Sequence, residues 1–164
     1  MIIGIDNGTT GSITAIHDNG VLLFTEKTPI KSRLKWTKQV KHMNVIEMNA
    51  MLKLFKIAKK ANEDPKIICY VERPMVNSLR FNASLSAVAA YVLTVEILEM
   101  AKVPYEFVDS KTWQKGMLPA GVKGSAALKK IASEVAIRLF PGYKFPKVVA
   151  DSILIAEYYR RELK

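Results

Sequence analysis

The chain has 164 residues, of which 49% are hydrophobic and 24% charged, with a single cysteine. That length and balance suit one globular domain that buries roughly 70% of its unfolded surface without staples; a lone thiol excludes an intrachain disulfide and disfavours a cysteine-rich zinc site. Twenty-five Lys and Arg against fifteen Asp and Glu leave a net charge of +10, which favours a polyanionic partner, most commonly nucleic acid.

Residues 1–6, 11–17 and 20–26 are short β-rich runs separated by "NGTT" and "HDNG". The Asp18-Asn19-Gly20 cluster is a hairpin signal, so these runs predict a three-stranded antiparallel meander. Residues 44–60 place Ile46, Met48, Met51, Leu52, Phe55 and Ala58 at helical spacing. "KIICYVE" (66–72) reads as a buried strand ending in Glu72, with Cys69 a structural thiol inside it. A long helix of small and apolar residues follows at 82–102, then a fifth strand at 104–110 and helices at about 125–140 and 149–163. The order predicts an α/β fold, a mixed five-stranded sheet in which two parallel strands join the meander and helices flank the faces. The uncharged stretch Asn82–Val95 falls short of the roughly 20 residues that a membrane span needs, and no basic amphipathic anchor stands out. With a chain that opens on a strand-like segment, no signal peptide is expected and the cytoplasm is the expected compartment.

Three acids follow or interrupt apolar runs: Asp6, Glu72 and Asp151. If strand 66–72 lies beside and parallel to strand 1–6, Asp6 and Glu72 converge at neighbouring strand ends about 4.8 Å apart. Asp151, in "KVVADSILIAEYY", would face the sheet from a helix. Crowded carboxylates repel and raise one another's pKa unless a cation neutralises them. An oxygen-only donor set suits Mg²⁺, with Mn²⁺ as a substitute. Two such ions about 3.5–4 Å apart can activate water and stabilise the leaving oxygen of a phosphodiester. Taken singly, Asp6 also reads as a turn former and Asp151 as a helix N-terminal charge; jointly, amid so much positive charge, they read as a metal site.

"IIGIDNGTTGSITAI", "CYVERPMVNS", "FVDSKTWQKGMLP" and "VADSILIAEYYRR" together resemble the RuvC-type Holliday junction resolvases, especially those carried by phages. The resemblance spans nearly the whole chain and implies an RNase H-like fold, a homodimer, and Mg²⁺-dependent nicking of symmetric strands in four-way DNA junctions. It implies Asp6, Glu72 and Asp151 as the catalytic carboxylates. Family members often carry a fourth acid, or a histidine, one helical turn before the last aspartate, where this chain has Val148. A valine binds no metal. Asp109 is the nearest substitute in topology, although it also reads as the N-cap of the turn at "DSKTW".

Several basic stretches are candidates for DNA contact. In "KTPIKSRLKWTKQVKH" (27–42), Lys35 and its neighbours would neutralise phosphates while Trp36 stacks on an unpaired base, or the stretch is a solvated loop with one aromatic packed down. Arg73, Arg80 and Phe81 follow Glu72; the resembled family probes the junction centre with an aromatic hereabouts, although Phe81 reads equally as core. Lys111, Lys115 and Lys123 flank a glycine-containing loop, and one of them could offset charge developing on the phosphate. The small residues of helix 82–102 suit close packing on the sheet or, as the resemblance implies, a dimer seam.

The turn "GIDNGTTGS" also looks like the first phosphate loop of the sugar kinases. Those enzymes close a second lobe over nucleotide, and 164 residues hold one lobe; no G-x-x-x-x-G-K-[ST] loop is present. No nucleotide cofactor is expected. Two alternatives stay open: another RNase H-like nuclease acting on flaps or RNA–DNA hybrids, and a catalytically weak junction-binding protein.

Overall fold

The structure, a computed structural model, describes residues 1–35, 42–61 and 66–163. In chain order the elements are β1 (Ile2–Asp6), β2 (Ser12–Ile16), β3 (Leu22–Lys27), β4 (Ile30–Leu34), β5 (His42–Ile46), α1 (Met48–Ala61), β6 (Ile68–Glu72), α2 (Phe81–Ala101), β7 (Tyr105–Val108), α3 (Ser110–Met117), α4 (Ser125–Leu139) and α5 (Ala150–Glu162). Short 3₁₀ turns precede α2 and α5.

Five strands form one sheet in the order β3-β2-β1-β6-β7. The meander forms as its turn residues predict: His17 N donates to Val21 O at 2.9 Å across a turn in which Gly20 adopts a φ of +90°. β6 then pairs parallel to β1, and β7 parallel to β6. The mixed five-stranded sheet expected from the sequence is the one observed.

Alternation along each strand divides the interior into two layers. Ile3 and Ile5 of β1, with Cys69 and Val71 of β6, pack among residues of α1 and α2, including Met51, Phe55, Ile97 and Leu98. Ile2 and Tyr70 face the opposite way, into a layer of Trp113, Val135, Ala136, Ile153 and Leu154 from α3, α4 and α5. Cys69 is fully buried, as expected of a structural thiol, and burial raises its pKa well above the ordinary value.

Helix α5 lies against the second face at unusually close range, and Gly4 is the reason. A Cβ on Gly4 would stand 2.6 Å from Ala156 N and closer still to Ser152 O, so only glycine admits the helix backbone here. Buried hydroxyls fix the same contact laterally. Ser12 Oγ donates to Ser152 Oγ at 2.8 Å, and Thr14 Oγ1 lies 2.7 Å from Ser152 Oγ and 2.8 Å from Thr25 Oγ1. Farther along, Tyr159 stacks on Tyr70 with ring centroids 3.8 Å apart, and the buried Glu157 carboxylate accepts from Arg160 Nε and Arg161 Nε, each at 2.7 Å.

Three expectations are corrected. The stretch read as the start of a helix at 44 is instead β5, antiparallel to β4 in a separate two-stranded ribbon. Helix α1 begins only at Met48, because the Glu47 carboxylate accepts from the Ala50 amide at 2.6 Å and caps the first turn there. Helix α3 stands where the sequence suggests only a turn at "DSKTW" leading into a glycine-containing loop; its eight residues include Gly116 and expose their polar side, but Trp113 anchors it in the core and Gly116 lets the Tyr158 ring close on it. Finally, Ser78–Ala101 runs for 24 residues at a mean hydropathy of 1.5, long and apolar enough by length and composition to cross a membrane. The uncharged stretch Asn82–Val95 is only the middle of it. Ser84, Ala90, Thr94, Ile97 and Leu98 are buried in the fold, whereas Phe81, Leu85, Val88 and Val92 are exposed.

Candidate active site

The last registered pair of β1 and β6 is Ile5 with Val71; one step on, the strands end in Asp6 and Glu72. Both acids have the parity of Gly4 and Tyr70, which places them on the face covered by α5. Asp151 is the second residue of α5, held over that face by Gly4 and by the Ser12–Thr14–Ser152 hydroxyl ladder. A side-chain-free position in one strand and three hydroxyls thus bring a helical carboxylate to two strand-end carboxylates.

The three acids share one electrostatic field. Burial, then repulsion from Glu72 and Asp151, pushes the Asp6 pKa up to about 8, with Lys129 partly opposing. Burial and the Asp151 charge push Glu72 up to about 7. The Trp113 indole N–H acts in the other direction there: it is buried and lacks a hydrogen bond of good geometry, yet it lies near enough to Glu72 to lower its pKa. Burial raises Asp151 as well, against the pull of Lys129. Partly buried carboxylates that resist ionisation together are a site short of positive charge.

The donor set, all carboxylate oxygen, has the chemistry of a hard divalent cation site. Among the described residues, no group of three or more His, Cys, Asp or Glu is gathered tightly enough to hold an ion as the side chains stand. The acids share a field and not yet a common point. Beside them opens a cleft of about 720 Å³ lined by Asp6, Thr10 and Asp151, by Lys129, Lys130, Ser133, Glu134 and Ile137 of α4, and by Lys147 and Val148. Val148, an exposed residue, forms part of this wall.

The other candidates are dispersed. Arg73 pairs with Asp109 at 3.0 Å on the surface, and Asp109, at the N-cap position of α3, is turned to that arginine. Arg80 and Phe81 stand at the exposed start of α2; Phe81 is 71% exposed and is not core. Lys111 and Lys115 lie on the outside of α3, and Lys123 is exposed before α4. Lys35 follows β4 directly, whereas Trp36 lies outside the described residues. The cations that do line the cleft, Lys129, Lys130 and Lys147, were not singled out from the sequence. The "ALKKIA" spacing within α4 was the one available signal for Lys129 and Lys130, and only packing against α5 makes it informative; Lys147, in the short turn before α5, carried none.

A meander extended by two parallel strands, with helices on its faces, is the RNase H-like fold. Among solved structures, the chain is similar to Thermus thermophilus RuvC in complex with a Holliday junction substrate, with a TM-score of 0.60 and 16% identity over 98% of this chain and 95% of that one. It is likewise similar to a second Thermus thermophilus RuvC structure, with a TM-score of 0.53 and 14% identity over the same shares. At such identity the likeness is one of fold. The sequence matches no protein-family model and no curated protein.

Proposed function

We propose that the chain is a Mg²⁺-dependent endonuclease that nicks four-way DNA junctions. The observation that carries this reading is the convergence of Asp6, Glu72 and Asp151 into one field on the α5 face of the sheet, in a fold similar to a protein solved with a Holliday junction. Asp6, Glu72 and Asp151 would hold Mg²⁺ or Mn²⁺. Bound there, divalent cations supply an activated water and a positive field for the leaving oxygen. The chain's own residues do the rest. Lys129, which already lowers the Asp6 and Asp151 pKa values, meets the negative charge of a phosphate entering the cleft. Lys130 and Lys147 hold the strand along it.

The reading includes a homodimer. Phe81, Leu85, Val88 and Val92 recur at intervals of three to four residues along the exposed side of α2, and a second copy covers them around a two-fold axis that matches the approximate symmetry of a four-way junction. A specific observation supports a second reading, a junction binder with weak chemistry: Val148, at the position where the resembled family often carries a fourth acid or a histidine, stands on the cleft wall.

The test is a substrate panel of a four-way junction, a flap, a linear duplex and an RNA–DNA hybrid, each with Mg²⁺, Mn²⁺ or EDTA. Metal-dependent nicks confined to the junction support the resolvase. Preferred cutting of the flap or the hybrid reassigns the same carboxylates to another nuclease, and tight junction binding without cuts selects the second reading.

A further inference from the structure

The two-stranded ribbon stands outside the five-stranded sheet and outside the cleft, and its chemistry is one-sided. From Lys27 to Ile46 the sequence contains six Lys or Arg and no acid. All five residues of β4 are exposed, so Lys31 and Arg33 reach solvent from the outer strand, with Lys35 immediately after. Lys31 makes one surface contact, 3.5 Å from Glu47, of the kind worth little in water. Among the described residues neither Arg33 nor Lys35 has an ion-pair partner.

The root of the ribbon fixes its position. Thr28 N donates to Gly11 O at 2.9 Å, and Glu47 N donates to Pro29 O at 2.8 Å. Gly11 precedes Ser12, the residue registered opposite Asp6, and a Cβ on Gly11 would collide with Asp6 O. The ribbon therefore leaves the molecule from the turn that follows Asp6, at the same end of the sheet as the carboxylates. Its inner strand stays near the body: Met43 and Val45 line a small cavity with Thr9 and with Ser86, Ala89 and Leu93 of α2.

We propose that the β4–β5 ribbon is a clamp for a duplex arm of the DNA substrate, with Lys31, Arg33 and Lys35 on its phosphates. The inference rests on the nuclease reading and adds to it a surface beyond the cleft. A two-stranded β-ribbon matches the width of a B-DNA major groove, and three cations on and just after an exposed strand, of which only Lys31 has an ion-pair partner among the described residues, are complementary to a polyanion. The competing role, lysines that stop an exposed edge from pairing with another sheet, places no demand on DNA affinity.

The experiment measures binding of a fluorescent four-way junction by anisotropy, in EDTA, from about 50 to about 200 mM salt. It compares wild type, the triple variant Lys31→Gln/Arg33→Gln/Lys35→Gln, and a charge-matched control, Lys53→Gln/Lys56→Gln/Lys60→Gln, on the exposed side of α1. Three lost phosphate contacts lower the salt slope by about 2.7, so the ribbon variant loses roughly 40-fold less affinity across that range than wild type does. The control keeps a slope near wild type, and thermal melts of the three proteins coincide. Wild-type binding with an unchanged slope in the ribbon variant overturns the clamp and leaves the nuclease reading intact. Equal losses in both triple variants also overturn it, since net charge alone then explains the effect. No junction binding by the wild type removes the nuclease reading and the clamp together.

Discussion

Replacing Asp6 by asparagine removes the most strongly perturbed charge of the cluster while keeping its shape. The folded chain holds the Asp6 proton up to about pH 8, whereas the unfolded chain releases it near the ordinary value of 3.8. Since the folded state binds the proton more tightly, the stability linked to it is fully present below about pH 4 and is lost as pH rises toward 8. At about 1.36 kcal/mol per pH unit the gap of about four pH units sets a ceiling of roughly 6 kcal/mol, which local water entry and side-chain movement lower. Glu72 and Asp151 act with the same sign. Urea denaturation in EDTA, from pH 4.5 to 8.5, should therefore find Asp6→Asn more stable than wild type at pH 8, with the difference shrinking below about 1 kcal/mol near pH 4.5. Adding Mg²⁺ at pH 8 should stabilise wild type and leave the variant nearly unchanged. A variant less stable than wild type at pH 8, or a difference independent of pH, would refute the claim that these carboxylates burden the metal-free fold.

Other expectations follow from the packing. Gly4→Ala should cost about 3 kcal/mol by thermal or urea melts, because the added methyl meets the backbone of α5 and not a flexible side chain. Glu157→Gln should cost about 2 kcal/mol at neutral pH by losing two charge-assisted partners. Burial alone would raise the Glu157 pKa, but hydrogen bonds and charge from Arg160 and Arg161 bring it below the ordinary value. Its contribution is thus present above about pH 4.5 and fades as pH falls through the lowered value, so wild type and variant should converge in acid. Lys129→Met should slow single-turnover cleavage by roughly 100-fold while junction affinity, shared among many cations, changes by less than about tenfold.

Much of the candidate site is legible along the chain because strands repeat with period two. Once strand 66–72 lies parallel to strand 1–6, parity places Asp6 and Glu72 on one face, and the apolar run after Asp151 presses its helix onto that face. The features that escaped depend on contacts between elements. Nothing local shows that Lys129 shares a cleft with Asp6, or that the Trp113 indole N–H lies near Glu72. The ribbon escaped for another reason: "NVIEM" satisfies helical spacing, and the Glu47 cap decides where the helix begins. Phe81 could be core or surface by composition, and its exposed place at the mouth of α2 is a matter of tertiary position.

The central claim is that this carboxylate cluster cuts junction DNA, and end-labelled strands of a four-way junction test it most directly. Wild type with Mg²⁺ should leave nicks at symmetric positions on two opposing strands. EDTA should abolish them, and Asp6→Asn should bind the junction and leave it whole. Nicks that persist in Asp6→Asn, or in EDTA, would contradict the account.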